Sequence, residues 1–235
     1  NVQDAVQYIF PQWQNIATVN AFYSPNYNTF VLYPICIASP YYRDDVPDAY
    51  SYALIGSVIA HEMTHGFDTD GVLYDEFGVA TSTQSNPYGW WTQSDYNAFI
   101  QRCLKLIDSY NKIPFEPYTL PGYQSNGTRC LDDNIADVGG ICIAFDSYTR
   151  HLKQEGYDNE SITQLQRLFL TSFAYAWRTK SSPTYLQNLY KTDEHSSYYA
   201  RVIGSLQHLD EWYDLFDVTS DQTYYLPREK RCHLY

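Results

Sequence analysis

The run His61-Glu62-Met63-Thr64-His65 is the strongest chemical signal in this sequence. Residues four apart on a helix lie on one face, so both imidazoles can bind one metal ion. Glu62 is rotated by about 100° from His61, so its carboxylate can reach a metal-activated water without being a ligand. Zinc lowers the pKa of such a water toward about 7, and Glu62 can accept its proton as the water attacks a carbonyl. A chance match is the alternative, but the apolar turns before the motif predict that it belongs to a buried helix.

A catalytic zinc site needs a third protein ligand beside one open position. Asp133 and Asp137 are four residues apart, so their two carboxylates share one face of a predicted helix. One of them can bind the metal while the other holds a ligating imidazole. Two acidic residues near a helix start also favour the helix dipole, and without the upstream histidines that alternative would be preferred.

The elements that must position these side chains begin with a hairpin and a helix. β-Branched and aromatic residues at 19–23 and 29–37 flank turn formers at 24–28, which predicts an antiparallel hairpin. A helix at about 50–66 is predicted to carry both histidines.

The rest of the chain is predicted to be helical apart from one long loop. Thr92-Gln93-Ser94-Asp95 matches a capping box and predicts a helix start. The predicted helices span about 92–110, 132–155, 161–178 and 196–206. A loop is predicted from Pro114, Pro117, Pro121 and Gly122. The fold class is therefore mainly α with a small β-sheet near the N-terminus, and no domain boundary divides residues 1–235.

Charge and composition exclude some partners. The formal charge of −12 argues against nucleic acid, which needs a stripe of lysine and arginine. The longest apolar run, 53–60, is far shorter than the roughly 20 residues of a membrane helix. The five cysteines are either buried thiols or partly paired in disulfide bonds, and an odd count leaves at least one unpaired within this chain. Sequons at Asn126 and Asn159 fit an extracellular glycoprotein.

Further motifs accompany the histidines on both sides along the chain. The motifs, which run from residue 19 to residue 201, are Val19-Asn20-Ala21-Phe22-Tyr23, His61-Glu62-Met63-Thr64-His65-Gly66-Phe67-Asp68, Trp90-Trp91-Thr92, Asn134-Ile135-Ala136-Asp137 with Gly139-Gly140, Phe173-Ala174 with Trp177, and Lys191-Thr192-Asp193 with His195 and Arg201. With these motifs in this order, the chain resembles the C-terminal catalytic part of the neprilysin and endothelin-converting-enzyme family.

The resemblance implies a thermolysin-like zinc metallopeptidase catalytic domain. It implies one zinc ion per chain, bound by His61, His65 and Asp133. Glu62 would be the general base, and Asp137 would hold a zinc-bound histidine. The expected activity is that of an endopeptidase or oligopeptidase on small peptides.

Other residues are expected, by the same resemblance, to contact the substrate or the transition state. His195 would stabilise the oxyanion, where a preorganised donor contributes several kcal/mol. Arg201 would bind a substrate carbonyl with its fork of donors. The residues expected to line the substrate site are Asn20 and Ala21, which would pair with the peptide backbone, and Val58 and Trp177, which would contact the apolar side chain after the cleaved bond.

Two departures from the family pattern support a rival hypothesis. Asp133 stands where family members usually carry glutamate, and Asp132 stands where they usually carry glycine. The metal carboxylate is therefore one methylene shorter, which would suit a catalytically weakened or inactive relative that still binds zinc or peptides. A helical interaction module with an accidental motif would leave the downstream motifs unexplained.

The resemblance also sets expectations for location and partners. Family members are usually secreted or anchored by one N-terminal membrane helix, and a large helical lobe caps the cavity. We expect both segments to lie outside these 235 residues. The protein is therefore expected at the cell surface or outside the cell, with small peptides as partners and membrane contact only through such an anchor.

Overall fold

An antiparallel hairpin opens the described part of the chain. The computed structural model describes residues 18–38 and 40–234. Strands β1 (Ala21–Ser24) and β2 (Thr29–Leu32) pair with Ala21 opposite Leu32. The predicted hairpin is confirmed, but its second strand is shorter than predicted, because Pro34 begins a 3-10 turn at Pro34–Ile37.

One continuous helix carries the two histidines of the motif, as the sequence predicts. It consists of α1 (Asp48–Ser51), a π-helical turn (Tyr52–Gly56) and α2 (Ser57–Thr64), and a 3-10 turn follows at His65–Phe67. The helical geometry continues through Ser57, whose φ and ψ are −66° and −36°. His61, Glu62 and the turn around His65 therefore share one rigid support.

Six further helices follow, four of them near predicted positions. They are α3 (Gln93–Tyr110), α4 (Leu131–Gln154), α5 (Asn159–Ala176), α6 (Pro183–Thr192), α7 (Tyr198–Leu206) and α8 (Asp210–Leu215). The predicted cap is confirmed, since the side chain of Thr92 accepts a hydrogen bond from the backbone N–H of Asp95. The sequence did not assign bounds to α6 and α8. In the described residues, no helix is both long and apolar enough to span a membrane.

A second hairpin occupies the segment that was predicted to be a loop. Strands β3 (Pro114–Glu116) and β4 (Leu120–Gln124) pair antiparallel, with Glu116 opposite Leu120. The prediction was wrong because prolines lower the expectation of a strand. Pro114 and Pro121 are tolerated here because, within the part of the chain that the structure describes, the sheet has two strands and each strand has an unpaired edge.

Helix α4 lies at the centre of the molecule. One side of α4 packs into an apolar cluster with α1, α2 and α5, through Ile141, Phe145 and Tyr148. Ile135 and Val138 of α4 join a second cluster with α3 and α7. Because α4 is packed on both sides, its first turn is held in a fixed position relative to α2.

Candidate metal centre and adjoining cavity

Helix α2 and the 3-10 turn that continues it bring the two histidines of the motif together, as their spacing predicts. The Nε2 atoms of His61 and His65 lie 3.1 Å apart, and the two rings meet edge to face with centroids 4.7 Å apart. Both imidazoles are shielded from solvent on most of their surface. The two nitrogens therefore point at one common position.

Asp133, in the first turn of α4, supplies a third atom at this position. Its Oδ1 lies 3.6 Å from Nε2 of His61 and 4.0 Å from Nε2 of His65. Among the described residues, His61, His65 and Asp133 form the one group of three potential ligands whose donor atoms all lie within 4.8 Å of one another. We call these three residues the triad.

The triad fits a zinc ion in its chemistry and closely in its dimensions. With metal–ligand distances near 2.05 Å, tetrahedral ligand atoms are separated by about 3.3 Å. The nitrogen pair, at 3.1 Å, meets this value, while the carboxylate oxygen lies somewhat too far from both nitrogens. Two imidazoles and one carboxylate are also the ligand set of a catalytic zinc site with one open position.

A carboxylate lies behind each imidazole of the triad. Oδ1 of Asp137 is 2.8 Å from Nδ1 of His61, and Oδ2 of Asp68 is 2.6 Å from Nδ1 of His65. Nδ1 of His65 is hydrogen-bonded to its carboxylate, and Nδ1 of His61 lies at ion-pair distance from its own. A proton on each Nδ1 leaves the Nε2 lone pairs free to bind a metal. The sequence pointed to Asp137 but assigned no role to Asp68, although its position three residues after His65 was a usable signal.

The turn at residues 68–71 holds the Asp68 carboxylate in place. The backbone N–H groups of Asp70 and Gly71 donate to Oδ1 of Asp68 at 2.9 and 2.7 Å. A Cβ added to Gly71 would lie 2.0 Å from the carbonyl oxygen of His65, so the turn requires a glycine there. Sequence analysis missed this requirement because it arises from a contact between two backbone segments.

Close packing of α4 on α2 sets the distance between the carboxylates and the imidazoles. A Cβ on Gly139 would lie 2.6 Å from Cγ2 of Thr64. A Cβ on Gly140 would lie 2.9 Å from the backbone nitrogen of His61. The two glycines of the motif therefore allow the helix backbones to approach closely enough for Asp133 and Asp137 to reach the histidines.

The electrostatics of the centre follow from burial and from these carboxylates. Burial raises the pKa of Glu62 to about 7, and the charge of Asp133 adds to that shift. Burial lowers the pKa of His61, although Asp137 opposes the change. Burial also acts to lower the pKa of His65, but the hydrogen bond and charge of Asp68 outweigh it, so this pKa is raised.

Arg201, on α7, is paired with Asp137. Its Nε and Nη2 donate to the two carboxylate oxygens at 2.7 and 2.6 Å, and its guanidinium stacks 4.0 Å from the ring of Trp177. The charge of Arg201 is the main reason that the pKa of Asp137 is lowered although the carboxyl is buried. Two of the five N–H donors of Arg201 are used in this pair. The predicted contact of Arg201 with a substrate carbonyl stays a prediction.

His195 lies at the rim of the centre, between two carboxylates. Its Nδ1 is 2.8 Å from Oδ1 of Asp193, and its Nε2 is 3.1 Å from Oδ1 of Asp133. The side chain is 53% exposed, so it is accessible from the adjoining space. Asp193, which the sequence noted only as part of a motif, thus orients the imidazole toward the triad.

A cavity of about 350 Å³ adjoins the centre. The four residues predicted to line the substrate site are all in its wall: Asn20, Ala21, Val58 and Trp177. Its wall also includes apolar and aromatic residues that the sequence did not single out: Tyr41, Leu54, Phe173 and Tyr198. His61, Glu62, His195 and Arg201 face the same space. The catalytic candidates and the candidate substrate wall therefore enclose one volume, although the role of each residue stays a prediction.

Comparison with known proteins decides the family. The sequence profile of peptidase family M13 matches residues 20–232. The chain belongs to this family. The match spans the hairpin, the triad, the cavity wall and the C-terminal segment, and it confirms the resemblance to neprilysin and the endothelin-converting enzymes.

Individual relatives agree with this assignment. The chain is 34% identical to neprilysin-11 of Caenorhabditis elegans over 212 residues, which are 85% of this chain and 23% of the relative. It is 32% identical to rabbit (Oryctolagus cuniculus) neprilysin over 223 residues, which are 93% of this chain and 28% of the relative. It thus spans about a quarter of the length of these curated relatives.

A solved structure supports the fold. The zinc metalloprotease Zmp1 of Mycobacterium tuberculosis, solved in complex with an inhibitor, superposes with a TM-score of 0.82 at 30% identity. The match covers 94% of this chain and 33% of that protein. The mainly helical fold class with a small N-terminal sheet is therefore confirmed.

Proposed function

We propose that this chain is the catalytic part of a zinc-dependent endopeptidase or oligopeptidase that hydrolyses small peptides, with one zinc ion per chain. Residues 1–235 would form a single catalytic domain. One observation carries the proposal: two imidazoles, each with a carboxylate behind its Nδ1, direct their Nε2 atoms at the oxygen of Asp133. Membership of peptidase family M13 supports the same chemistry.

The proposal divides the chemical work between the triad and the side chains around it. A zinc ion held by the triad would supply Lewis-acid chemistry, acidifying water and polarising the scissile carbonyl. Glu62 accepts the proton of the attacking water and passes it to the leaving amine. His195, oriented by Asp193, donates a hydrogen bond to the oxygen on which negative charge develops. Asp137 keeps His61 in the Nδ1–H tautomer.

Substrate would bind as an extended segment along the hairpin. Asn20 and Ala21 lie at the cavity wall, and Ala21 begins β1, which among residues 18–38 and 40–234 pairs with β2 alone. A peptide backbone can add to the free edge of such a strand. Val58 and Trp177 then form an apolar wall for the side chain after the cleaved bond. Arg201, beside Trp177, would donate to a substrate carbonyl with the N–H groups that Asp137 does not use.

A weakened or inactive relative that retains zinc or peptide binding is the second candidate. Its supporting observation is the position of Asp133, whose oxygen lies 3.6 and 4.0 Å from the two nitrogens, while these are 3.1 Å apart. A third ligand held this loosely would lower zinc occupancy and turnover together. The two candidates differ in the peptide hydrolysis expected at saturating zinc.

The proposed location is the cell surface or the extracellular space. Asn126 and Asn159, the asparagines of the two sequons, are both exposed, so a glycan could be attached at either. The relatives named above are between three and four times as long as this chain. The capping lobe and the membrane anchor would belong to such additional sequence. Small peptides are the proposed partners, and nucleic acid is not.

Zinc content and peptide hydrolysis, measured on one preparation, test the proposal. The purified protein should hold one zinc ion and cleave a quenched fluorogenic peptide with an apolar residue after the scissile bond. A chelator should stop the cleavage, and added zinc should restore it. Glu62→Gln should keep the zinc but lose hydrolysis by at least about 100-fold, because an amide cannot accept the proton. Glu155→Gln, the same change at an exposed position, is the matched control.

The outcomes separate the two candidates. Absence of zinc from folded protein under metal-replete conditions would refute the metal site. Zinc binding without hydrolysis at saturating zinc would favour the inactive relative. Equal loss of zinc and hydrolysis in Glu62→Gln would contradict the role assigned to Glu62.

A further inference from the structure

Asp132, the residue beside the triad carboxylate, makes a long-range contact that the proposed mechanism does not use. Its Oδ1 accepts a hydrogen bond from the backbone N–H of Thr69 at 3.0 Å and a second from the Thr69 hydroxyl. The two residues are 63 positions apart in the chain. The contact joins the first turn of α4 to the turn at residues 68–71.

This contact lies between two ligands of the triad. Thr69 directly follows Asp68, whose carboxylate holds Nδ1 of His65. Asp132 directly precedes Asp133. A connected path therefore runs from His65 through Asp68, Thr69 and Asp132 to Asp133, and a metal held by the triad would close it into a ring.

His61 is supported in a different way. Its Nδ1 contacts Asp137, one turn further along α4, and Asp137 is in turn paired with Arg201. Close packing at Gly140 fixes the distance between α2 and α4 at that level. The path through Asp132 instead acts at the first turn of α4, and a helix frays most readily at its ends.

We infer that Asp132 is a positioning residue, which sets the separation of His65 and Asp133 by fastening the first turn of α4 to the turn that holds His65. The inference rests on the proposed zinc site but not on peptide hydrolysis. Loss of the Asp132–Thr69 contact would loosen the first turn of α4 relative to the 68–71 turn, although core packing still holds the body of the helix. The Asp133 oxygen, already the more distant atom of the triad, then loses its preorganisation.

Hydrogen bonding, and not negative charge, is the basis of this role. Asp132 also adds a charge near the site and near the N-terminus of α4, and either effect could assist a cation. Two variants separate these causes. Asp132→Asn removes the charge but keeps an oxygen that can accept from Thr69. Asp70→Ala removes a charge from the same turn, where the Asp70 side chain is exposed, but leaves the contact intact.

The test is zinc affinity, measured by competition with a chelator on the folded protein. Asp132→Ala should weaken zinc binding about 10-fold, the lower end of the loss seen when an outer partner of a metal ligand is removed. Asp132→Asn should recover most of the affinity, and Asp70→Ala should stay close to the parent protein. Thr69→Ala combined with Asp132→Ala should lose little more than Asp132→Ala alone, because both changes break one contact.

A spectroscopic readout separates positioning from general stability. In cobalt-substituted protein, Asp132→Ala should change the visible absorption bands, which report the ligand geometry, while thermal unfolding of the metal-free protein stays nearly unchanged. Unaltered zinc affinity in Asp132→Ala, or an equal loss in Asp70→Ala, would overturn the inference. If the parent protein binds zinc but cleaves no peptide, the proposed peptidase function fails and this inference stands.

Discussion

At the scale of single residues, the geometry of the candidate centre depends on the partner that orients each side chain. His195 is more exposed than the side chains of the triad, and Asp193 fixes its orientation. Its Nε2 contacts Asp133. The same nitrogen would donate to the developing oxyanion during catalysis.

We expect His195→Ala to lower kcat far more than it lowers zinc affinity. Removing one oxyanion donor costs about 100- to 1,000-fold in kcat. Zinc binding should change little, because His195 is not part of the triad. Its link to the metal position is the contact of its Nε2 with the Asp133 carboxylate. Steady-state kinetics together with chelator competition measure the two effects. Parallel losses of kcat and zinc affinity would show that His195 acts on the metal and not on the transition state.

The length of the Asp133 side chain leads to a second expectation at this scale. Asp133→Glu adds one C–C bond of about 1.5 Å, more than enough to bring the carboxylate oxygen to ligand distance. Zinc should then bind at least about threefold more tightly, equivalent to about 0.6 kcal/mol. Peptide hydrolysis at limiting zinc should rise as well. A glutamate variant that binds zinc no better would show that the backbone is already adjusted to aspartate.

At the scale of elements, the contact between α2 and α4 is decisive, because it determines whether the carboxylates reach the imidazoles. Gly139 and Gly140 lie where α4 crosses α2. The obstacle differs between them: a Cβ on Gly139 meets the Thr64 side chain, whereas one on Gly140 meets the backbone at His61. Side chains can rotate away, but the backbone of a packed helix cannot.

Gly140→Ala should therefore destabilise the protein and weaken zinc binding together. Overpacking of this kind costs about 1–3 kcal/mol. Gly56→Ala is the matched control, since its Cβ would meet only ordinary contacts of 3.7 Å or more in the same helix that carries the motif. Urea unfolding and chelator competition compare the two variants. A Gly140→Ala protein as stable as the Gly56→Ala protein would contradict the close approach of the helices.

At the scale of the whole molecule, the C-terminal segment is fastened back onto the helices. His208 is fully buried and accepts a hydrogen bond at Nδ1 from the backbone N–H of Cys232, at 2.8 Å. Its Nε2 lies 3.0 Å from the hydroxyl of Ser109 on α3. Since Nδ1 is the acceptor, the proton resides on Nε2, and the imidazole is neutral. Burial, with the nearby charges of His233 and Arg231, lowers the pKa of His208 to about 3.

His208 should make the folded protein sensitive to acid. An unfolded histidine has a pKa near 6.5, so below that pH the unfolded state binds a proton that the folded state excludes. Stability contributed by neutral His208 is complete above about pH 6.5 and is lost as the pH falls toward 3, with a slope of at most about 1.4 kcal/mol per pH unit.

Unfolding of a variant pair tests this dependence. Urea unfolding of metal-free protein from pH 7 to pH 4.5 should show a shallower slope in His208→Gln than in the parent. His151→Gln, which changes a partly exposed histidine, should keep the parental slope. If His208→Gln has the parental slope, another group causes the acid sensitivity.

Local patterns in the sequence determined the parts of this protein that depend on neighbouring residues. The spacing of His61 and His65 places both imidazoles on one helix face wherever that helix lies, because helical geometry repeats every 3.6 residues. The same reasoning placed Asp133 and Asp137 on one face of α4. The first hairpin, the Thr92 cap and most helix positions likewise follow from turn formers and apolar periodicity.

Tertiary structure alone decided the contacts between segments that are distant in sequence. The bond from Asp132 to Thr69, the pair of Arg201 with Asp137, and the approach of α2 to Gly140 each join two separate elements. Such contacts depend on how the core packs, and a side chain's type does not reveal its distant partner. Residue types therefore predicted the kind of metal centre, whereas packing around α4 decided its dimensions and the side chains that hold it.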